Sequence, residues 1–494
     1  MEISYITTRG GRERLRSAQA ILKGIGEDGG LFVPDRIPPL SVSIEEMRGF
    51  SYQRVAKTII EAYFTDLSGD IPSCVDRAYD EKFGSQDVVP LVKVNGTCFL
   101  ELYHGRTAAF KDLALSILPY LMTLSAHREK EKRKLCILTA TSGDTGKAAI
   151  EGFSDVEGTE ILVFYPEEGV SPMQKAQMLE KRGKNTHVFG IRGNFDQAQQ
   201  GVKQIFASER SRQKLGGDFL LSSANSINIG RLVPQIAYYV YGYIRLMTDG
   251  VIRPHQPINI CVPTGNFGNI LAAWYASRMG IPVHTFLCAS NRNKVLADFF
   301  HSGLYDTDRD FYVTESPSMD ILVSSNLERL LYHLAGPERT SALMADLREN
   351  GRYAVGDDLR SRLSSFYGGF ADAAETKEAI REMYEDHHYL IDTHTAVAYQ
   401  VYKKYRKETG DQRPTLVAAT ASAFKFPRFV AEAIGLPISP TEDDYACAER
   451  LEERTGIAIP PVLKDIRKRP RREALVIDRE EMEETVIKVL EQTR

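Results

Sequence analysis

Short unbroken apolar runs alternate with longer helical stretches through most of the chain from about residue 96. Residues 136–140, 161–165 and 186–191 read as buried strands, and the stretch from Lys147 between the first two reads as helix. Residues 231–247 form a long apolar helical stretch. The alternation then repeats, with a strand at 258–262, a helix at 270–279 and a strand at 283–289. Buried strands separated by helices specify a mostly parallel sheet covered on both faces. The expected fold class is therefore α/β, with two open α/β domains and a cleft between them.

A small N-terminal domain precedes this pattern. It carries a glycine-rich turn at 27–34 and a helical pattern over 51–67, and Asn95-Gly96 closes it as a turn. The expected organisation is an N-terminal domain over 1–95, a first α/β domain over 96–255 and a second over 256–494. Within the last, 291–393 is a helical elaboration before a strand returns at 416–420.

A chain of 494 residues exceeds one hydrophobic core, which agrees with several domains. The net charge of -4 gives no electrostatic case for nucleic acid or an anionic membrane surface. Two local basic runs, 127–134 and 467–472, read as solvated turns or helix ends. The six cysteines form no CxxC pair, and Cys136, Cys261 and Cys288 sit in apolar runs. That suits buried free thiols rather than a disulfide framework or a zinc site. No metal is called for. With no apolar stretch of membrane-spanning length and no signal-like start, a cytoplasmic location is expected.

Three segments carry candidate chemistry. In Thr141-Ser142-Gly143-Asp144-Thr145-Gly146 a strand leads in and a helix leads out, so the free amides at the helix start attract an anion. A plain Ser/Thr helix cap is the competing reading. Pro263-Thr264-Gly265-Asn266-Phe267-Gly268-Asn269 repeats the strand–loop–helix setting. Its spacing is not the GxGxxG of a dinucleotide site, which argues against a nicotinamide oxidoreductase. The third is 101–112, where Lys111 follows Ala108-Ala109-Phe110 and precedes an apolar run after Asp112. A lone lysine is nearly always a solvated surface residue. Apolar surroundings favour the neutral amine, however, and only that form attacks an aldehyde carbon.

Taken together, the segments resemble the threonine synthase family, pyridoxal-phosphate enzymes of the tryptophan-synthase-β structural group. His104, Gly105, Thr107, Phe110, Lys111 and Asp112 match the family's lysine segment, and 141–146 its Thr-Ser-Gly-Asp-Thr-Gly turn. The Gly-Asn-Phe-Gly-Asn loop stands at 265–269, and Ser-Ala-Asn-Ser-Ile-Asn at 223–228 with Arg231 beyond it. Tyr5, 8–10, 28–31, 316–320 and 326–330 also match, in order.

The resemblance implies conversion of O-phospho-L-homoserine and water to L-threonine and phosphate. Lys111 would bind pyridoxal 5'-phosphate as a Schiff base and shuttle protons. Gly265, Asn266, Phe267, Gly268 and Asn269 would hold the cofactor phosphate, and Thr420 would face the pyridine nitrogen. Ser142, Gly143, Asp144 and Thr145 would grip the substrate carboxylate, and Asn225, Ser226 and Arg231 its phosphate. The partner expected is that small-molecule substrate, with monomer and homodimer both open. Two positions depart from the family pattern: Arg106 stands where proline is usual, and Ser422-Ala423 stand where His-Pro is common. A phosphohomoserine lyase yielding a keto acid and a non-catalytic sensor of a phosphorylated amino acid are the rival readings.

Overall fold

A computed structural model describes residues 2–493 apart from 86, 142, 168 and 169, together with all side chains in that set except those of 195 and 196. The N-terminal part pairs Tyr5–Thr7 with Phe32–Pro34 and carries the helices Ser17–Lys23, Tyr52–Tyr63 and Ile71–Ala78. The helix expected over 51–67 stops at Tyr63 because the next residues bind the chain's beginning. Thr65 accepts from the Ile3 amide, and the Asp66 carboxylate accepts from the amides of Ser17 and Ala18 at 3.1 Å, capping that helix. The apolar face of Tyr52–Tyr63 packs on Ile229–Thr248, a helix buried along almost its whole length.

Two sheets follow. The larger runs Phe366–Phe370, Val283–Ser290, Ile258–Pro263, Thr415–Ala419, Thr97–Glu101 and Leu91–Val94 from edge to edge. All neighbours are parallel except the last pair. The smaller runs Leu475–Ile477, Thr186–Ile191, Thr159–Pro166, Lys134–Ala140 and Phe219–Ser223, entirely parallel. The α/β architecture with a separate N-terminal domain and a cleft between two sheets is as the apolar pattern specifies.

Sheet membership crosses the expected cut at 255/256 in both directions. Thr97–Glu101 pairs with Thr415–Ala419 in the larger sheet, and Leu475–Ile477 pairs with Thr186–Ile191 in the smaller. The Asn95-Gly96 turn does not close the N-terminal domain. With φ of 45° and 77° it is a hairpin turn joining the edge strand Leu91–Val94 of the larger sheet to its neighbour Thr97–Glu101. Phe366–Phe370 is a strand inside the stretch expected to be helical. Its Gly368 lies where a Cβ would stand 2.6 Å from the Ala297 carbonyl oxygen, so the chain sacrifices strand propensity to let a helix approach.

The basic run 467–472 is not simply solvated. Arg469 reaches Glu180 at 3.3 Å, and Arg472 donates to the carbonyls of Arg182 and Thr186, strapping the C-terminal segment to the smaller sheet. In the other run, Lys134 donates to the Thr493 carbonyl at 2.6 Å. All six cysteines are buried and free. No helix among the described residues is long and apolar enough to cross a membrane.

Candidate functional site

Parallel strands end on the same side, and ligands bind in the crevice beyond their carboxyl ends. Here five such ends open on one cavity of about 1150 Å³. Lys134–Ala140 delivers Thr141, Asp144 and Thr145; Phe219–Ser223 delivers Asn225 and Ser226; Ile258–Pro263 delivers the glycine loop. Thr415–Ala419 delivers Thr420, and Thr97–Glu101 leads into the segment bearing Lys111.

That segment is locked from both ends. Leu102 donates to the Ala419 carbonyl and Phe110 to the Thr420 carbonyl, while Ser422 donates to Ala108, which adopts a left-handed φ of 56°. The Asp112 carboxylate clamps Thr107 through its amide at 2.8 Å and its hydroxyl at 2.7 Å. Burial pushes the Asp112 carboxyl up to about 6 against those two donors. Gly105 makes this clamp possible, since a Cβ there would meet the Asp112 side chain at 2.5 Å. Lys111 emerges with its side chain 11% exposed, its Nζ 3.2 Å from Ser318 Oγ and 3.5 Å from Asp144 Oδ2. Burial lowers its pKa; Asp144 opposes that, and the neighbouring cations Lys425 and Arg231 reinforce it.

Across the cavity, Phe267 adopts φ 62° just before the helix Gly268–Met279, whose first amides have no acceptor within the helix. The loop is held from behind: Ser324 Oγ donates to the Gly265 carbonyl at 2.8 Å, and Asn326 donates to the Asn266 carbonyl through its backbone amide and Nδ2. Asn269 accepts from the hydroxyls of Tyr238 and Tyr239 at 2.6 Å each, leaving its Nδ2 without a partner among the described residues. Arg231 is 3% exposed, donates by Nη1 to the Ala224 carbonyl at 2.9 Å, and has no partner for its Nε among the described residues. Burial pushes its pKa down to about 10. Asn225 Oδ1 is likewise buried and without a partner among the described residues. Buried polar atoms are normally satisfied, so three orphans on one cavity wall mark where a polar ligand belongs.

Gly143 differs from the other expected residues. Its amide donates to Thr141 Oγ1 at 2.9 Å, as the Gly146 amide does at 2.8 Å, and it does not line the cavity. Its φ of 136° and a Gln174 side chain 2.6 Å from a would-be Cβ explain the glycine instead. The Asp144 side chain is itself an anion, engaged by Lys425 and Gln174, and is unsuited to holding a carboxylate. Ser142 lies outside the described residues. Arg106 is half-exposed, with a guanidinium 3.8 Å from Glu151, and Ser422 Oγ caps the turn at the Phe424 amide.

Several residues that sequence reasoning passed over stand at the site. Lys425, fully enclosed, donates to Asp144 Oδ1 at 2.7 Å and to the Thr107 carbonyl at 2.9 Å. It sits between Phe424 and Phe426, the same apolar signal that singles out Lys111. His394, held through Nδ1 by Asp392 at 2.9 Å, lines the cavity and accepts at Nε2 from the Ser318 amide. Arg329 is 0% exposed and donates to the carbonyls of Phe32 and Ile227, bracing the loop after Ser226. Glu328 joins the N-terminal domain to the cavity wall through Arg9 Nε at 2.9 Å and Thr8 Oγ1 at 2.5 Å.

Known proteins resemble this chain over most of its length. The families described as Threonine synthase N terminus, Pyridoxal-phosphate dependent enzyme and Threonine synthase, C-terminal match residues 4–79, 89–421 and 395–487. Threonine synthase-like 1 of Macaca fascicularis is 38% identical over 84% of this chain and 58% of its own length. The chain thus spans somewhat over half of that relative. The threonine synthase of Schizosaccharomyces pombe is 36% identical over 90% of each chain. The crystal structure of PLP-bound threonine synthase from Brucella melitensis superposes with a TM-score of 0.84 at 33% identity, over 99% of both chains. The chain belongs to the threonine synthase family of pyridoxal-phosphate dependent enzymes.

Proposed function

We propose that this chain is a threonine synthase, converting O-phospho-L-homoserine and water to L-threonine and phosphate. The observation that carries the reading is the enclosed Lys111 amine sharing one cavity with a glycine-rich helix start and with Arg231, a buried cation without a carboxylate partner among the described residues. The residues fit pyridoxal phosphate: an amine for its aldehyde, free helix-start amides for its phosphate, and a cavity large enough for cofactor and substrate together. When bound, the cofactor supplies an electron sink for negative charge on the substrate carbons.

The chain's own residues position and move protons. Lys111 would anchor the cofactor, and its Nζ would take and return protons at the substrate's α- and β-carbons. The amides of Gly265, Asn266, Phe267, Gly268 and Asn269 hold the cofactor phosphate. Thr420, on the cavity wall, would offer its hydroxyl to the pyridine nitrogen, where a hydroxyl would not hold a proton on the ring as a carboxylate would. The amides of Asp144 and Thr145 bind the α-carboxylate, a role that the family pattern also gives to Ser142. Asn225, Ser226 and Arg231 bind the phosphate that departs, a guanidinium fork suiting a dianion. The buried free thiols suit a reducing compartment, and we place the protein in the cytoplasm.

The test is product analysis of the cofactor-loaded protein with O-phospho-L-homoserine. Threonine and phosphate should appear in equal amounts. Equal amounts of 2-oxobutyrate and phosphate would assign a lyase, and binding without phosphate release would assign a sensor. The glycine loop has its own test in Gly265→Ala. A Cβ there would stand 2.4 Å from the Ser318 carbonyl oxygen, on the residue whose hydroxyl meets Lys111. Thermal unfolding should show a loss of about 1–3 kcal/mol. Titration should show cofactor affinity falling by roughly tenfold or more as the loop backs away from the phosphate.

A further inference from the structure

Asp144 is one buried carboxylate serving two lysines. Its Oδ1 accepts from Lys425 at 2.7 Å and from Gln174 Nε2 at 2.9 Å, while its Oδ2 accepts from Ser318 Oγ at 3.2 Å and from Lys111 at 3.5 Å. The two lysines differ in freedom. Lys425 is 0% exposed and pinned by a second bond to the Thr107 carbonyl at 2.9 Å. Lys111 stands at the cavity wall, where its Nζ has room to move. We propose that Lys425 is a positioning residue for the reaction: it is the fixed counter-cation of Asp144, which lets Lys111 leave that carboxylate for the substrate carbons. The inference rests on the reading of Lys111 as the cofactor-bearing lysine.

The physical reason is the cost of an isolated buried charge. Were Lys111 the partner of Asp144 on its own, each departure would strand an uncompensated anion in the interior, at a cost of several kcal/mol. Lys425 removes that cost by staying in place. It also adds a like charge beside Lys111, favouring the neutral amine that proton abstraction requires. Directions agree: burial raises the Asp144 carboxyl, yet Lys425 first and Lys111 second hold it well below the usual carboxylate range. The charged groups acting on Lys111 are Asp144, Lys425 and Arg231. Asp112 faces Lys425 across the Thr107 clamp, and His394 with Asp392 behind it meets the backbone of Ser318.

The experiment follows the cofactor's visible band against pH in the loaded protein, and the pH dependence of cofactor uptake by the cofactor-free protein. Both read the protonation of the Lys111 nitrogen. Lys425→Met should move the midpoints up by about one pH unit or more, because Asp144 then acts on Lys111 unopposed. Lys425→Arg should return them toward the unmodified protein. Asp144→Asn should move them down, since Lys111 loses its anion and keeps the Lys425 charge. A Lys425→Met protein that binds cofactor with unshifted midpoints overturns the proposal and leaves Lys425 a buried strut. If that variant does not fold, an unshifted Asp144→Asn overturns it equally. An unmodified protein that forms no visible band at all fails the reading of Lys111 itself, and this inference falls with it.

Discussion

Lys111→Ala is expected to abolish the imine absorbance band that pyridoxal phosphate gains on binding and to lower phosphate release by on the order of 10⁴-fold or more. Two losses combine. The covalent anchor disappears, and with it the amine that moves protons between substrate carbons; positioned acid–base catalysis alone is worth roughly 10²–10⁴. The fold should survive. Lys111 projects into the cavity, and the Asp144 carboxylate keeps its bonds to Lys425 and Gln174 when Lys111 is cut back. The unfolding free energy should therefore change by about 1 kcal/mol or less. A variant that melts normally yet keeps the absorbance, or keeps turnover, would remove Lys111 from the chemistry altogether.

What the sequence discloses and what it hides divide along physical lines. Lys111, the 265–269 loop and the 141–146 turn are legible because each is a local constellation: a strand, a glycine-bearing turn, a helix start. Strands such as Ile258–Pro263 are legible because a strand buried on both faces is mostly apolar along its length, Asn259 being the one polar residue here. Partnership is not local. Nothing in Thr97–Glu101 says that it joins Thr415–Ala419, nor in Leu475–Ile477 that it completes the smaller sheet, so the domain cut misses both crossings. Phe366–Phe370 escapes because two glycines depress its strand signal while serving close approach of its neighbours. Lys425 carries the same apolar flanks as Lys111, but its meaning lies in Asp144, brought near by the fold alone. Gly143 shows the opposite case: its residue type fits an anion loop, yet its amide is spent on Thr141.

The second large effect is expected at Arg231. Arg231→Ala should raise KM for O-phospho-L-homoserine by roughly 10²–10³-fold, about 3–4 kcal/mol, while the cofactor's absorbance persists. The size follows from the setting. The guanidinium is 3% exposed, and among the described residues no carboxylate lies within ion-pair distance and its Nε has no partner. A buried cation in that state is a cost to the ligand-free protein, recovered when a dianion arrives. The same reasoning fixes the sign of a second measurement. Without ligand, Arg231→Ala should melt higher than the unmodified protein, because the uncompensated charge is gone. Inorganic phosphate should raise the melting temperature of the unmodified protein and leave the variant where it is. Arg231→Lys should recover only part of the affinity, since an ammonium lacks the fork that grips two phosphate oxygens. An unchanged KM in Arg231→Ala, with the variant folded and loaded, would place the substrate phosphate elsewhere in the cavity and leave Arg231 as a brace for the Ala224 carbonyl.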